Sequence, residues 1–261
     1  MLLVIDVGNT NLEFGLFEGT KLSGSFRMGT NPETTSDEIG FMLAHFLEFN
    51  GLERGDIEDV VIASVVPQIM YSLLNAVKKY IGLVPLVAGE TIEVKVPNLY
   101  DNPKEVGMDR LVNARAGFEK YGGPLIIIDF GTATTFDAVD KNGAYLGGAI
   151  YPGIKISMEA LVKQTAKLPR IELVNPGVAI GTNTAASMQA GAVYGYVGAV
   201  GNISQQMRTV LGREARVIAT GGLSSLFAEF PGVFDVVDKT ITIDGLRMIY
   251  DDYREGKSKN G

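Results

Sequence analysis

Apolar positions in this chain follow two alternating patterns. Short continuous runs, such as those that begin at Leu2 and at Leu125, are typical of strands buried on both faces. The range 37–50 instead carries its apolar residues three and four positions apart, which predicts an amphipathic helix with Ser36 as its N-cap. Because strand-like and helical segments follow one another along the whole chain, the sequence predicts an α/β fold.

The predicted elements form two series. In the first series, strands cover residues 2–7, 13–17, 21–28, 60–65 and 84–87, and helices cover 37–50, 68–81 and 110–120. In the second series, strands cover 125–129, 134–140, 144–150, 217–220 and 233–237, and helices cover 185–211 and 244–253. The polar tail from Arg254 to Gly261 is expected to fray.

The two series share a faint internal repeat. The segment LLVIDVGNTNLEFGLFEG begins at Leu2, and LIIIDFGTATTFDAVDKNG begins at Leu125, close to half the chain length later. In each, an apolar strand leads through Asp, a hydrophobic residue and Gly into polar residues. A chance likeness between two parallel-sheet strands would give a similar pattern. A repeat at this offset favours two lobes of the same basic fold, at residues 1–115 and 116–261.

Composition narrows the class of ligand. The 261 residues are 46% hydrophobic and 20% charged, and the formal net charge is −7. A general nucleic-acid or membrane-surface binder needs a basic footprint, so neither partner is expected. A phosphate ligand stays open, because backbone N–H groups and a metal ion can bind it. The sequence contains no cysteine, which excludes disulfides, thiolate nucleophiles and Cys-ligated metals.

The sequence carries no recognisable targeting signal. The apolar run before Asp6, from Leu2 to Ile5, has only four residues, too few for a signal peptide. The apolar stretch 190–200 is interrupted by three glycines and is too short to span a bilayer. We therefore expect a cytoplasmic protein.

The first motif with chemical potential is DVGNTN, from Asp6 to Asn11. A carboxylate ends a buried strand, and Gly8 in the following turn lets the backbone approach a ligand closely. Donors on Asn9 and Thr10 suit phosphate oxygens. Since a carboxylate would repel phosphate directly, Asp6 is best suited to hold Mg²⁺ or its waters. An ordinary hairpin turn would use the same residues.

Two further motifs lie in the second half. DFGTATTFD, from Asp129 to Asp137, again follows a buried strand with Gly and hydroxyl residues, although Thr is also simply a good strand residue. ATGG, from Ala219 to Gly222, would let an adenine or a ribose lie against bare backbone. Two acidic strand ends, one in each lobe, would face each other and clamp a polyphosphate from both sides.

These three motifs, in this order, resemble those of the superfamily of acetate and sugar kinases, heat-shock chaperones and actin. Six ordered blocks narrow the resemblance to the type III pantothenate kinases over nearly the whole chain: DVGNTN, ASVVP, NPKEVGMDR, DFGTATTFD, GGAIYPG and GTNTAASMQAG. The resemblance implies a duplicated fold of the actin and hexokinase type, with two ribonuclease H-like lobes and a nucleotide cleft between them. It also implies transfer of the γ-phosphate of ATP to pantothenate, the first step of coenzyme A synthesis.

The resemblance also assigns residues. It places the nucleotide along Asp6, Val7, Gly8, Asn9, Thr10, Asn11, Leu12, Glu13 and Thr132. It places pantothenate beside Tyr100, Gly107, Met108, Asp109, Arg110 and Thr184. Asp109 matches the proton acceptor of the family, and Asp129 matches its site for an activating monovalent cation, K⁺ or NH₄⁺.

The residues around Asp109 allow a second interpretation. An Asp at the start of a helix is more often an N-cap than a base. Arg110 in a first helical turn is usually solvated, but pantothenate carries a carboxylate that a guanidinium can bind through two parallel hydrogen bonds. The single histidine, His45, lies on the predicted helix 37–50 and receives no role.

Two other functions and one assembly state follow from the same observations. A kinase of this superfamily that acts on a sugar or a carboxylic acid is one alternative, and a non-catalytic nucleotide-binding regulator is another. In the predicted helix 185–211, Gly191, Gly195 and Gly198 leave one face almost bare, which allows close helix approach. That face could pack inside its own lobe, but the resemblance favours a homodimer with Thr184 near the partner's pocket.

Overall fold

The computed structural model describes residues 1–260. Within them, strands form two mixed five-stranded sheets, and helices lie between the strands along the chain. The strands are β1 Leu2–Val7, β2 Asn11–Glu18, β3 Lys21–Gly29, β4 Asp59–Ser64, β5 Leu86–Val87, β6 Leu125–Phe130, β7 Ala133–Val139, β8 Tyr145–Pro152, β9 Arg216–Thr220 and β10 Val236–Val237. The α-helices are α1 Ser36–Phe49, α2 Pro67–Ala76, α3 Met108–Tyr121, α4 Ile154–Gln164, α5 Thr184–Leu211, α6 Ser224–Phe227 and α7 Ile241–Asn260.

The first sheet has the order β3-β2-β1-β4-β5. Its centre, β1, pairs antiparallel with β2 and parallel with β4. Leu3 and Ile5 belong to the core on one face of β1, and Leu2 and Val4 belong to the core on the other. Because both faces are covered, the strand is apolar throughout and shows no alternation with polar residues.

The second sheet repeats this arrangement. Its order, β8-β7-β6-β9-β10, places a hairpin partner and a parallel partner on the two sides of β6, as on the two sides of β1. Ile126, Ile128 and Phe130 of β6 pack into one core. The internal repeat in the sequence therefore corresponds to a duplicated sheet topology, and the predicted two-lobe α/β fold is confirmed.

The chain divides into two compact units that are not continuous in sequence. The first unit contains Met1–Val96, Asp101–Ala116 and the chain from Thr240 onward, and the second contains Pro97–Tyr100 and Gly117–Lys239. The last helix, α7, packs in the first unit, where Ile243, Leu246 and Ile249 join the core that holds Leu2 and Val4.

Several element boundaries differ from the sequence prediction. The N-cap of α1 is Thr35 rather than Ser36, because the Thr35 hydroxyl and the Glu38 carboxylate form a reciprocal capping box. Helix α4 was not predicted, and the predicted strand 233–237 is reduced to Val236–Val237. The expectation of a frayed tail from Arg254 was wrong, since α7 continues to Asn260; Gly261 lies outside the described residues.

Among residues 1–260, no helix is both long enough and apolar enough to cross a membrane.

Candidate active site

The turn between β1 and β2 carries the first phosphate motif. The Gly8 N–H closes the turn by donating to Asn11 O at 3.0 Å. Thr30, just after β3, donates its hydroxyl to Gly8 O at 2.6 Å and its N–H to Thr10 O at 2.8 Å. The side chains of Asn9, Thr10 and Asn11 stay exposed. The backbone of the turn is therefore fixed while its polar side chains are accessible.

The other residues of this motif differ in what they can contribute. Val7 and Leu12 are fully buried in the core, so only their backbone groups could contact a nucleotide. Asp6 is half-buried at the end of β1, opposite Glu13 on β2. Arg27 lies 2.6 Å from a Glu13 carboxylate oxygen and balances its charge. The Glu13 carboxylate is thus held in an ion pair across the β2–β3 hairpin.

Residues Gly107–Arg110 lie at the same edge of the first sheet. Val65, which follows β4, donates its N–H to Val7 O at 3.0 Å, directly before the turn. A Cβ built on Gly107 would lie 3.5 Å from a Val65 methyl carbon and 2.5 Å from Asp109 Oδ1, so glycine permits a close approach here. Because ligands of open α/β sheets bind outside the carboxyl ends of their strands, the first turn and Asp109 share a favourable location.

Asp109 occupies a half-buried position at the second residue of α3. Burial raises the pKa of its carboxyl group, and a hydrogen bond from the Arg110 N–H at 2.9 Å together with the Arg110 charge partly offsets that rise. Arg110 is 9% exposed. Met108 packs its terminal methyl group against Gly89, which follows β5. Asp109 is thus a positioned acid whose pKa lies closer to neutrality than that of an exposed aspartate.

The second phosphate motif and the ATGG motif meet in the second unit. Asp129, near the end of β6, is flanked by Thr135 on β7 and Thr220 on β9. Gly221 has a φ of +85°, and a Cβ there would lie 2.7 Å from Phe130 N. Only glycine therefore lets the end of β9 lie this close to the end of β6. The sequence did not show by itself that these two motifs are neighbours.

Tyr100 and Thr184 are also placed in the second unit. The ring of Tyr100 lies 6.4 Å from the Tyr145 ring, and its edge would be 3.3 Å from a Cβ on Gly147. Backbone hydrogen bonds from Tyr145 N to Pro97 O and from Leu99 N to Tyr145 O hold the Tyr100 loop on β8. Thr184 is exposed at the first residue of α5.

Asp137 is a polar residue of this unit that was not predicted as a site residue. Its carboxylate is fully buried in β7 and accepts hydrogen bonds from the Tyr145 hydroxyl at 3.1 Å and the Thr135 hydroxyl at 3.3 Å. The signal was present in the sequence, because a charged residue in an apolar strand needs buried partners. Tyr145 thereby connects the strand of the second motif with the loop that carries Tyr100.

A protein binds a metal ion where several ligand side chains lie close together. Across the described part of the chain, His, Asp and Glu side chains do not come together in groups of three that could hold a metal ion. An ion at Asp6 or Asp129 would therefore need oxygens from water, hydroxyl groups or phosphate in addition to the carboxylate. This donor chemistry fits Mg²⁺, which usually keeps several waters and binds one or two carboxylates plus substrate phosphates.

Comparison with known sequences gives matches that cover most of the chain. The family model described as Type III pantothenate kinase matches residues 2–206. A curated type III pantothenate kinase from Bacillus cytotoxicus is 49% identical over 251 residues, which is 96% of this chain and 96% of that protein.

Comparison with solved structures gives more distant matches. A Baf family transcriptional activator from Campylobacter jejuni has a TM-score of 0.60 at 18% identity, covering 97% of this chain and 99% of that one. The activator of 2-hydroxyisocaproyl-CoA dehydratase from Clostridium difficile, solved with bound ADPNP, has a TM-score of 0.53 at 13% identity, with coverages of 99% and 97%. At these identities the likeness shows a shared fold and says nothing about activity.

Proposed function

The chain belongs to the type III pantothenate kinase family, and we propose that Asp109 is the base through which it catalyses the reaction of that family. The enzyme transfers the γ-phosphate of ATP to pantothenate and forms 4'-phosphopantothenate, the first step of coenzyme A biosynthesis. In this proposal the Asp109 carboxylate orients the pantothenate hydroxyl and takes its proton as the phosphoryl group arrives.

One observation carries the assignment of Asp109. Gly107 packs beside Val65, and Val65 is hydrogen-bonded to Val7 at the start of the first phosphate turn. The carboxylate therefore stands at the sheet edge where the turn presents its donors. Burial supports the same role, since a base works best when its pKa lies near the operating pH.

We place the nucleotide along the first turn and at Thr132. The backbone of Asp6–Glu13 and the exposed side chains of Asn9, Thr10 and Asn11 would supply donors to the phosphates. Asp6 would hold Mg²⁺ together with water and phosphate oxygens. When bound, Mg²⁺ neutralises charge that develops on the phosphates.

We place pantothenate beside Gly107, Met108, Asp109 and Arg110, with Tyr100 and Thr184 as further contacts. Arg110 would bind the pantothenate carboxylate, because this acidic protein must supply a local cation for it. Asp129 would bind the activating K⁺ or NH₄⁺ ion, with hydroxyl and backbone oxygens of the neighbouring strand ends as additional donors.

We also propose that the enzyme is a homodimer. Gly191, Gly195 and Gly198 on α5 are exposed, and a Cβ built on any of them would meet no atom within 4 Å. This bare face therefore leaves room for a helix of a second copy, and the partner would bring its Thr184 near the pantothenate pocket. Location in the cytoplasm stays a prediction.

The substitution Asp109→Asn tests the proposed base. Asn keeps the volume of the side chain but cannot accept the proton, so kcat should fall by about 10²–10⁴-fold, the usual contribution of a general base. Nucleotide binding, measured by calorimetry, should be nearly unchanged. Asp101→Asn, an exposed carboxylate in the preceding loop, is the matched control and should keep normal turnover. Near-normal kcat of Asp109→Asn at saturating ATP, pantothenate and K⁺ would remove Asp109 from the mechanism.

A further inference from the structure

The strand residues on both sides of the second phosphate turn are held in the second sheet. The turn consists of Gly131 and Thr132, and the nearest directly paired strand residues are Phe130 of β6 and Thr134 of β7. Ala133 in turn pairs with Pro152 at the end of β8. Whatever holds Phe130, Thr134 and Pro152 therefore determines where the turn is presented.

Tyr196 of α5 contacts all three of these residues. Its hydroxyl is hydrogen-bonded to the Thr134 hydroxyl and lies 3.2 Å from Pro152 O. Its ring centre is 6.3 Å from that of Phe130 and stacks on Phe227, which itself stacks on Phe130. Tyr196 is 5% exposed, so these contacts lie inside the core of the second unit.

The direction of the two hydrogen bonds follows from their chemistry. A backbone carbonyl can only accept, so the single proton of the Tyr196 hydroxyl goes to Pro152 O. The Thr134 hydroxyl must then donate to the Tyr196 oxygen. Burial raises the pKa of Tyr196, so the phenol remains protonated and available as a donor at physiological pH.

We propose that Tyr196 is a positioning residue for the nucleotide, because its hydroxyl and ring fix both sides of the turn that carries Thr132. This inference rests on the proposed contact between Thr132 and the nucleotide. A phenylalanine at position 196 would keep the ring contacts but leave the Thr134 hydroxyl and Pro152 O without this partner. If the residues that flank a binding turn are held less firmly, the affinity for the ligand falls, because the protein must then order the turn when the ligand binds.

Tyr196→Phe in the full-length enzyme tests the proposal. The loss of one or two buried hydrogen bonds should raise KM for ATP and Kd for ADP by about 3- to 10-fold, while KM for pantothenate changes by less than about 2-fold. Thr134→Val removes the same bond from its other end. The double variant should be little worse than Tyr196→Phe alone, because Thr134→Val removes one of the two hydrogen bonds that Tyr196→Phe already removes.

Tyr194→Phe is the matched control, since Tyr194 lies on the same helix and packs edge-on against Phe230 at 5.8 Å. It should leave both KM values unchanged. If Tyr196→Phe lowers thermal stability but leaves KM and Kd for nucleotides unchanged, the residue is merely structural and the inference is overturned. Thr132→Ala distinguishes a failure of the positioning role from a failure of the proposed nucleotide contact. If Thr132→Ala weakens nucleotide binding and Tyr196→Phe does not, only the positioning role of Tyr196 fails. If neither weakens binding, the proposed nucleotide contact fails as well.

Discussion

Asp109 illustrates how one side chain allows two interpretations until its surroundings are known. From the sequence, a helix N-cap was the alternative to a base. In the structure, α3 begins at Met108, so Asp109 lies inside the first turn, and its Oδ1 accepts a hydrogen bond from the next residue's N–H. The hydrogen bond and the raised pKa are both properties of the Asp109 carboxylate. The ionisation of this carboxylate can therefore be tested separately from its replacement.

The pH dependence of kcat should reflect the ionisation of the Asp109 carboxyl group. The base must be ionised, and burial raises its pKa above the ordinary value of 3.8, so kcat should fall with decreasing pH before an exposed aspartate would protonate. Because the folded-state pKa is the higher one, the stabilising contribution of Asp109 is full below the unfolded pKa and is lost as pH rises through the folded pKa. The melting temperature of wild type minus that of Asp109→Asn should therefore increase as the pH is lowered. A constant difference between the two proteins would contradict the raised pKa.

Asp129 should govern the response to monovalent cations. Replacing its carboxylate by Ala removes the charged oxygen ligand that we assign to K⁺. Activity of wild type should rise when K⁺ replaces Na⁺, and Asp129→Ala should show little of this rise. Asp101→Ala serves as the exposed control and should respond like wild type. An undiminished K⁺ response in Asp129→Ala would exclude this role.

At the scale of the element, α5 has two faces with different functions. Tyr196 and Val200 pack into the core of the second sheet and Val193 is buried, while the glycines at 191, 195 and 198 are exposed. Glycine in a helix interior is destabilising by roughly 0.5–1 kcal/mol relative to alanine, so an exposed row of glycines needs another explanation. Close packing against a second α5 would supply it.

A bulky residue on the bare face should prevent the dimer. Gly195→Leu places a side chain where a second helix would approach, while the open space around Gly195 leaves the fold of the single chain undisturbed. Light scattering should give a dimer mass for wild type and a monomer mass for Gly195→Leu. Gln205→Leu, an exposed position on the same helix, should stay dimeric. A monomer mass for wild type at micromolar concentration would refute the proposed assembly.

At the scale of the whole molecule, α7 packs in the same compact unit as the first strands of the chain. Ile243 of α7 packs closely against Gly15 of β2, and Tyr250 donates its hydroxyl to Asp59 of β4 at 2.5 Å. Arg115 pairs with Asp252 at 3.0 Å. The first sheet is therefore covered on one face by residues of α7, and its stability should depend on them.

Leu246 gives the sharpest test of this dependence. It is fully buried in the core that holds Leu2 and Val4, so Leu246→Ala should lower the free energy of unfolding by about 2–5 kcal/mol, as large-to-small core substitutions do. Glu255→Ala, on the exposed side of the same helix, should change it by less than about 0.5 kcal/mol. Denaturant titration measures both variants, and a similar small effect for the two would show that α7 is not part of the core.

Much of the fold was determined by the sequence alone, whereas the roles of the site residues stay predictions. Buried strands carry apolar runs and helices carry helical spacing, so both patterns are local, and the repeat around Asp6 and Asp129 predicted a duplicated sheet. The phosphate motifs could be recognised because each keeps its chemistry within a few consecutive positions, and the family resemblance assigned roles to their residues. Helix α4 was missed although its apolar residues Ile154, Met158 and Leu161 follow helical spacing in the sequence, so this helix could have been predicted.

Only the tertiary structure decided which of these local pieces are neighbours. The packing of α7 into the first unit, the approach of Gly221 to the end of β6 and the contact of Tyr196 with Thr134 join residues far apart in sequence. Such contacts depend on complementary shape and on paired polar groups in the core, and neither leaves a periodic signal along the chain. The sequence therefore specifies the chemistry of each motif, whereas packing determines how firmly each motif is held.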